Sequence, residues 1–308
     1  MIRHLKYAEI DKDKWDNCIK NSINSLPYAF SWYLDIVHDD WEALIEDDYL
    51  RVMPLTISRK YGITYFFQPF FVQQLGIFSK QALSSEITAK FLKAIPSFIK
   101  LTDFNLNHFN TIKENQFPYI ENTNYLLDLI LDYEKLYSSY SKNTKRNLKK
   151  ANKSNLSLIK GVKPENIVKL FRENKGKDLD KWKDYHYRRL TRLIYTSMYK
   201  GVGTSYGVYS ENNELTSAAF FLKTSGKLIF LFSGNSKLGM ETHSMTYLID
   251  AVIRENSPGM KTLDFEGSNI PGIARFYSGF GAYKSTYLRI KINRLNFLLK
   301  QIIAIIKK

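Results

Sequence analysis

From Ser141 to Ile292 the apolar pattern switches repeatedly between a period of two and a period of 3.6, and Gly, Pro or a short polar turn fences each switch. That alternation excludes an all-helical or an all-strand fold, because each period buries a different geometry of face. "LSLIKG" reads as a strand, followed by helices from Pro164 and from about Asp180 to Lys200. Three strands come next, "TSYGVYS", "ELTSAAFFLK" and "KLIFLFSG", with "ENN" and "TSG" as turns. Met245, Leu248, Ile249, Val252 and Ile253 then recur at i, i+3, i+4, i+7 and i+8, the stripe of an amphipathic helix. "KTLDFEGS" is the next strand. Pro271 opens and Gly279 closes a short helix, and "AYKSTYLRIKI" is the last strand.

The first part of the chain reads differently. Residues 12–46 have helical spacing on either side of a break at Pro27. "LRVMPLTIS", "ITYFFQP" and "QQLGIF" read as strands, Ser84 to Lys100 as a helix, and "TNYLLDLIL" as a strand. "VMPLTISRKYGITYFFQP" and "SAAFFLKTSGKLIFLFSG" echo one another as strand–turn–strand units, each with Gly at the turn. At Ser141 the texture changes to "SKNTKRNLKKANKSN", polar and basic without an apolar stripe. The expected division is therefore 1–140, 141–292 and a tail, 293–308. In the tail, Leu295, Leu298, Leu299, Ile302, Ile303 and Ile306 share one helical face, with Lys300, Lys307 and Lys308 off it. A helix of that length, about 20 Å, is too short to span a bilayer. It either packs on the protein's own body or lies on the inner membrane surface with its lysines toward anionic lipid.

The net charge of +15 is unevenly distributed. Ser141 to Arg192 carries 17 Lys/Arg against 5 Asp/Glu, and Tyr283 to Lys308 carries 7 against none. Such concentration implies an anionic partner, although a solvated helix face is the plain alternative for either cluster. A single cysteine, Cys18, excludes an intrachain disulfide and suits a reducing compartment. "MIRHLKYAEIDKDKW" has no apolar core of a secretory signal, so a cytoplasmic protein is expected. No His/Cys metal spacing, P-loop or Gly-x-Ser-x-Gly elbow occurs, and no metal is expected.

Asp264 and Glu266 stand two residues apart in "TLDFEGS", so strand alternation puts both carboxylates on one face and Leu263 and Phe265 on the core face. In an open sheet, ligands bind beyond the carboxyl ends of strands, so the acids are expected to face a cleft. Pairing with an Arg or capping the next helix would also explain them.

The order of elements after Ser141 is that of the GNAT acyltransferase fold. "LDFEGSNIPGIARFYSGFGA" resembles the signature near the end of Fem-type (FemAB-like) transferases, GNAT relatives that attach amino acids to peptidoglycan precursors. "SKNTKRNLKKA" is similar to the basic segment that opens their second domain, and "YFFQPFFVQQLGIFSK" to segments of the first. The resemblance covers roughly Trp32 to Ile292 and implies an α+β protein of two GNAT-like domains. Each would carry a mostly antiparallel mixed sheet flanked by helices, with the acceptor between them. Two positions depart from the family pattern. Tyr277 stands in "FYSGF" where those enzymes carry a lysine, and "FSWYLDIVHDD" lacks the lysine that follows their early Trp.

The resemblance implies transfer of an acyl group from acyl-CoA (acetyl-CoA) or aminoacyl-tRNA to an amine or hydroxyl of a cell-envelope sugar or peptide. Glu266 and Asp264 would hold the acceptor or take its proton, and Tyr277 would be the general acid to the leaving group. Asn235, Lys237 and Gly239, in the junction "GNSKLGMETHSM", would meet the donor's pyrophosphate, and Lys145 and Arg146 would add cations. His243 is a candidate base or acceptor contact, and Arg275 a substrate contact on the helix of Tyr277. Gln68, Gln73 and Gln74 sit amid aromatics and suit sugar or peptide recognition; a strand edge explains them too. The competing class is a tRNA- or nucleic-acid-binding protein, on the basic, aromatic-interleaved "KWKDYHYRRLTRLIY", or a non-catalytic scaffold of the same fold.

Overall fold

A computed structural model describes residues 1–180, 182–224, 226–267 and 269–296. The chain divides into two compact units, Met1–Asn122 with the described residues from Thr286 on, and Thr123–Ser285. The boundary expected at Ser141 falls inside the second unit, because Leu127, Leu129, Leu136 and Tyr140 already belong to that unit's core.

In the first unit the order is β1 (Ile2–Leu5), α1 (Lys12–Lys20), α2 (Ser31–Val37), β2 (Glu42–Glu46), β3 (Arg51–Leu55), β4 (Ile57–Lys60), β5 (Ile63–Phe67), β6 (Phe78–Ser79), α3 (Ser85–Ala94) and β7 (Ile99–Asn105), leading into β8 (Tyr119–Asp128). One sheet runs β1-β2-β3-β6, all antiparallel. In a second arrangement β5 pairs β4 antiparallel and β7 parallel. Asp11 caps α1 and Ser84 caps α3, each side chain accepting from backbone N–H groups of the first turn.

Three expectations change here. The helix expected to continue to residue 46 ends at Val37, after which Asp40 turns left-handed (φ 54°) and Glu42–Glu46 pairs on both edges as β2. "LRVMPLTIS" is two strands in different sheets, split at the buried Thr56, whose hydroxyl donates to Phe67 O. "QQLGIF" is mostly a loop: Gly76 has φ 91°, and a Cβ there would lie 2.1 Å from Asn110 Oδ1.

The second unit follows as α4 (Tyr133–Ser138), α5 (Lys142–Ala151), β9 (Ser157–Lys160), α6 (Pro164–Glu173), α7 (Asp184–Tyr199), β10 (Gly203–Tyr209), β11 (Leu215–Lys223), β12 (Lys227–Asn235), α8 (Lys237–Glu241), α9 (Ser244–Asn256), β13 (Thr262–Asp264) and α10 (Pro271–Ser278); β14 (Tyr283–Asn293) comes last and from Thr286 on belongs to the first unit, where it pairs β7 antiparallel. The strands of the second unit are ordered β8-β13-β12-β11-β10-β9, antiparallel except for the β12/β13 pair. The mixed α+β architecture matches the sequence reading. The stripe of α9 is realised: Leu248, Ile249, Val252 and Ile253 are fully buried, each side chain stabilising the unit by roughly 1.5–3 kcal/mol.

The expected tail helix from residue 293 falls mainly on 297–308, outside the described residues. Before it, Asn293 ends β14, and Arg294 donates to Ile95 O and Pro96 O of the first unit while Leu295 is buried there. Among the described residues no helix is long and apolar enough to cross a membrane.

Close packing of α8 fixes one glycine. A Cβ at Gly239 would lie 2.2 Å from Thr216 O, a backbone atom of β11. Gly272, on the exposed first turn of α10, has open space around it. Gly239→Ala should therefore lower stability by roughly 1–3 kcal/mol through overpacking, whereas Gly272→Ala should be neutral or raise it by up to about 1 kcal/mol. Thermal melts of the two variants check the contrast.

Candidate functional site

The β12/β13 pair is the irregular feature of the second unit's sheet. The two strands run parallel for three residue pairs, Lys227↔Thr262, Leu228↔Leu263 and Ile229↔Asp264. β13 then stops while β12 continues to Asn235. The sheet opens between them at the carboxyl end of β13, the place where open sheets receive ligands.

Asp264 closes the bottom of this opening. Its side chain is almost fully buried (2% exposed). Oδ1 accepts from Asn124 Nδ2 (3.0 Å) on β8 and from the backbone N–H of Glu266 (2.9 Å). Oδ2 lies 3.4 Å from Lys227 Nζ on β12. Its carboxylate faces inward, not toward a cleft, and its capacity is committed to holding three segments together. Leu263 and Phe265 are buried in the core, as alternation predicts.

Glu266 does not share a strand face with Asp264. The strand has ended, and Glu266 adopts a left-handed backbone (φ 58°), followed by Gly267 at φ 62°. A Cβ on Gly267 would come within 2.1 Å of Thr123 O and 2.4 Å of Asn124 Cα, so only glycine lets this turn lie against β8. A glutamate in this region is uncommon and costs on the order of 1–2 kcal/mol. The Asp264 hydrogen bond and the Gly267 contact impose it. Glu266 is left partly exposed at the mouth of the opening.

Tyr277 reaches the same place from α10. Its ring stacks on Phe265 (centroids 4.8 Å, 24° apart), meets Phe230 of β12 edge-on at 6.2 Å and approaches Tyr125 of β8 at 6.3 Å. The ring thus occupies the gap between the separating strands. Burial, and then the negative charge of Glu266, pushes its hydroxyl well above the ordinary tyrosine range. It stays protonated at neutral pH and is therefore able to donate a proton or a hydrogen bond there. Arg275, on the same helix, is exposed.

The other expected donor contacts are arranged differently. Asn235 Oδ1 accepts from Ser217 Oγ (2.5 Å), Lys237 is exposed, and Gly239 is required by packing on β11. The N–H of Gly239 is already taken by Ser236 Oγ (3.0 Å). His243 is the N-cap of α9, left-handed at φ 56°. Burial lowers its pKa first, and the nearby Lys150 and Arg146 of α5 lower it further. Lys145 donates to Ser138 O (2.7 Å) and lies over the Tyr137 ring, while Arg146 donates to Asn143 (2.6 Å).

In the first unit the glutamines hold their own loop. Gln68 donates to Val72 O and accepts from the N–H of Asn105; Gln74 is buried and accepts from the N–H of His108. Gln73 accepts from Gln74 Nε2 (2.8 Å). Among the described residues no cluster of His, Cys, Asp and Glu could hold a metal ion. Sequence reasoning missed Asn124, Lys227 and Phe230. Asn124, a polar residue at an inward-facing position of an apolar strand, was the available signal.

No family model and no curated protein sequence matches the chain. Solved structures do. FemX superposes with a TM-score of 0.64 at 13% identity, over 97% of this chain and 99% of that one. The DUF2156 domain of a putative lysylphosphatidylglycerol synthetase from Agrobacterium fabrum gives 0.56 at 9% identity, over 91% and 90%. L-PGS from Bacillus licheniformis gives 0.55 at 10%, over 96% and 95%.

The chain has the fold of FemX and of L-PGS. Identities this low establish the fold alone.

Removing the Asp264 carboxylate leaves Asn124 Nδ2, the Glu266 N–H and Lys227 without their acceptor. Asp264→Ala should destabilise the protein by about 2–4 kcal/mol, whereas Glu266→Gln should melt close to the wild type. Denaturant unfolding of both variants measures the difference.

Proposed function

We propose that the protein is an acyl- or aminoacyltransferase whose reacting centre is the opening between β12 and β13. The observation that carries this reading is the convergence there of Glu266, held in a left-handed backbone by Asp264, and Tyr277, kept protonated in its aromatic slot. The FemAB-like fold supports the reaction class, and the names of FemX and the lysylphosphatidylglycerol synthetase support a cell-envelope acceptor.

The acceptor's amine or hydroxyl attacks the acyl carbonyl of an acyl-CoA or aminoacyl-tRNA. Glu266 takes the proton that the nucleophile loses. The tetrahedral intermediate then expels the CoA thiolate or the tRNA ribose oxygen, which takes the Tyr277 proton. Glu266 returns its proton through solvent and Tyr277 is restored, so protons balance over the cycle. The aromatic walls from Phe230 and Phe265 keep water from the acyl carbon and strengthen the Tyr277 hydrogen bond by lowering the local dielectric. Donor phosphates would lie toward Lys237 and His243, and Arg275 would stand at the acceptor side.

A thermal-shift screen of acyl-CoAs, aminoacyl-tRNAs and nucleotide sugars identifies the co-substrates, since a ligand at 100 times its Kd stabilises by about 2.7 kcal/mol. With the pair so found, Glu266→Gln should lower turnover by roughly 10²–10⁴-fold and Tyr277→Phe by about 10²-fold, with both variants folded. Unchanged turnover in Glu266→Gln would remove the general base. Donor binding with no transfer by the wild type would favour the scaffold reading.

A further inference from the structure

One end of the second unit's sheet gathers a group of exposed apolar side chains. The register brings the start of β10, the end of β11, the starts of β12 and β13 and the end of β8 to a common edge. The pairs that define it are Gly203↔Leu222, Lys223↔Leu228, Lys227↔Thr262 and Thr262↔Asp128. Five strands at about 4.8 Å spacing make this edge roughly 19 Å long. The turns at its middle carry Met260 (85% exposed), Ile130 (60% exposed) and Leu131, also exposed. Two backbone bonds hold those turns side by side: Leu129 N–H donates to Lys261 O (2.9 Å), and Gly259 N–H to Leu129 O (2.7 Å). Tyr199 (92% exposed) ends α7 at the β10 side, close to Lys223, whose N–H donates to Val202 O (2.7 Å). Tyr283, exposed, stands beside Asp128 at the β8 side.

A lysine accompanies the apolar residues along the edge. Lys200 follows Tyr199, Lys261 follows Met260 and Lys284 follows Tyr283, and all three are exposed, as is Lys223. Acids are present but engaged: Asp128 accepts from Thr262 Oγ1 (2.9 Å), and Asp132, past Leu131, has Lys135 at 4.0 Å. Single apolar residues scattered on a surface mean little, whereas a group of them on one edge marks a protein or a membrane contact. Folded partners select against lysine and meet packed faces. A bilayer instead takes apolar tips of turns, tyrosines at the headgroup level and lysines against anionic phosphates. The cavity of about 1040 Å³ between α6 and α7 has no such character. In its wall Arg172 pairs with Asp184 (2.7 Å), Lys169 lies 3.8 Å from Glu173, and Glu165 accepts from Tyr195 (2.7 Å).

We propose that this edge docks the protein on an anionic phospholipid bilayer. Met260, Ile130 and Leu131 enter the boundary with the acyl chains, while Tyr199, Tyr283 and the four lysines meet the phosphates. The lipid is a support here and not a reactant. The edge lies at the start of β13 and the reacting opening beyond its end, so docking leaves the opening free for substrates. Failure of this proposal would leave the Glu266 reading untouched.

The test is co-sedimentation of the full chain with vesicles of phosphatidylcholine, alone or with about one-third phosphatidylglycerol. The wild type should bind the anionic vesicles at least about tenfold more tightly than the neutral ones, and less tightly as salt is raised. I130S/Y199S/M260S and K223Q/K261Q/K284Q should each weaken binding to anionic vesicles by about tenfold or more. Both should melt close to the wild type, because the altered side chains already lie in water. K169Q/R188Q/R192Q removes the same charge from the wall of the α6–α7 cavity and should bind as the wild type does. Residues 297–308 are identical in every variant, so a loss confined to the first two assigns the binding to this edge. No binding by the wild type, full binding by I130S/Y199S/M260S, or an equal loss in K169Q/R188Q/R192Q would overturn the proposal. A dimeric wild type made monomeric by I130S/Y199S/M260S would overturn it too, since a second copy would then cover the edge.

Discussion

The Asp264 carboxylate is the constraint on which the second unit's site depends. It joins β8 through Asn124 and β12 through Lys227, and it fixes the first residue of the turn beyond β13 through the Glu266 N–H. A buried carboxylate is costly unless its lone pairs are satisfied, and these donors supply that compensation. The arrangement ends β13 at a defined residue. It therefore sets both where the sheet opens and how Glu266 is presented at the opening.

Glycines and aromatics complete the arrangement by shape. Gly267 lets the turn rest on the backbone of Thr123 and Asn124. Gly279 does the same for α10: its carbonyl accepts from the N–H of Ser141 (2.9 Å), and a Cβ would meet the Thr144 hydroxyl of α5 at 2.4 Å. The helix that carries Tyr277 is thereby tied to the start of the basic helix. Tyr277 is then clamped by Phe230, Phe265 and Phe276, so a long side chain enters the site with little freedom left to lose.

Local periodicity made much of the fold legible. The stripe of α9, the hairpin of β11 and β12, and the Pro271 start of α10 could all be read because neighbouring residues determine them. The site was less legible, because its geometry is set by residues far apart in the chain. Alternation placed Asp264 and Glu266 on one face, yet the strand is cut short by partners 140 residues away at Asn124. The Gly239 junction resembled a phosphate cradle, but the backbone of β11 explains that glycine. Gln68 and Gln74 were candidates for ligand contacts, and loop carbonyls and N–H groups take them instead. Tyr277 was recognisable by position, but nothing nearby in sequence foretold that Phe230 would form its wall.

The central claim is that acyl transfer happens where β12 and β13 part. A structure of the protein with a non-hydrolysable acyl-donor analogue tests it most directly. The account predicts the acyl carbonyl between the separating strands, within hydrogen-bond reach of the Tyr277 hydroxyl and with its exposed face toward Glu266. An analogue seated in the α6–α7 cavity or in the first unit would contradict it.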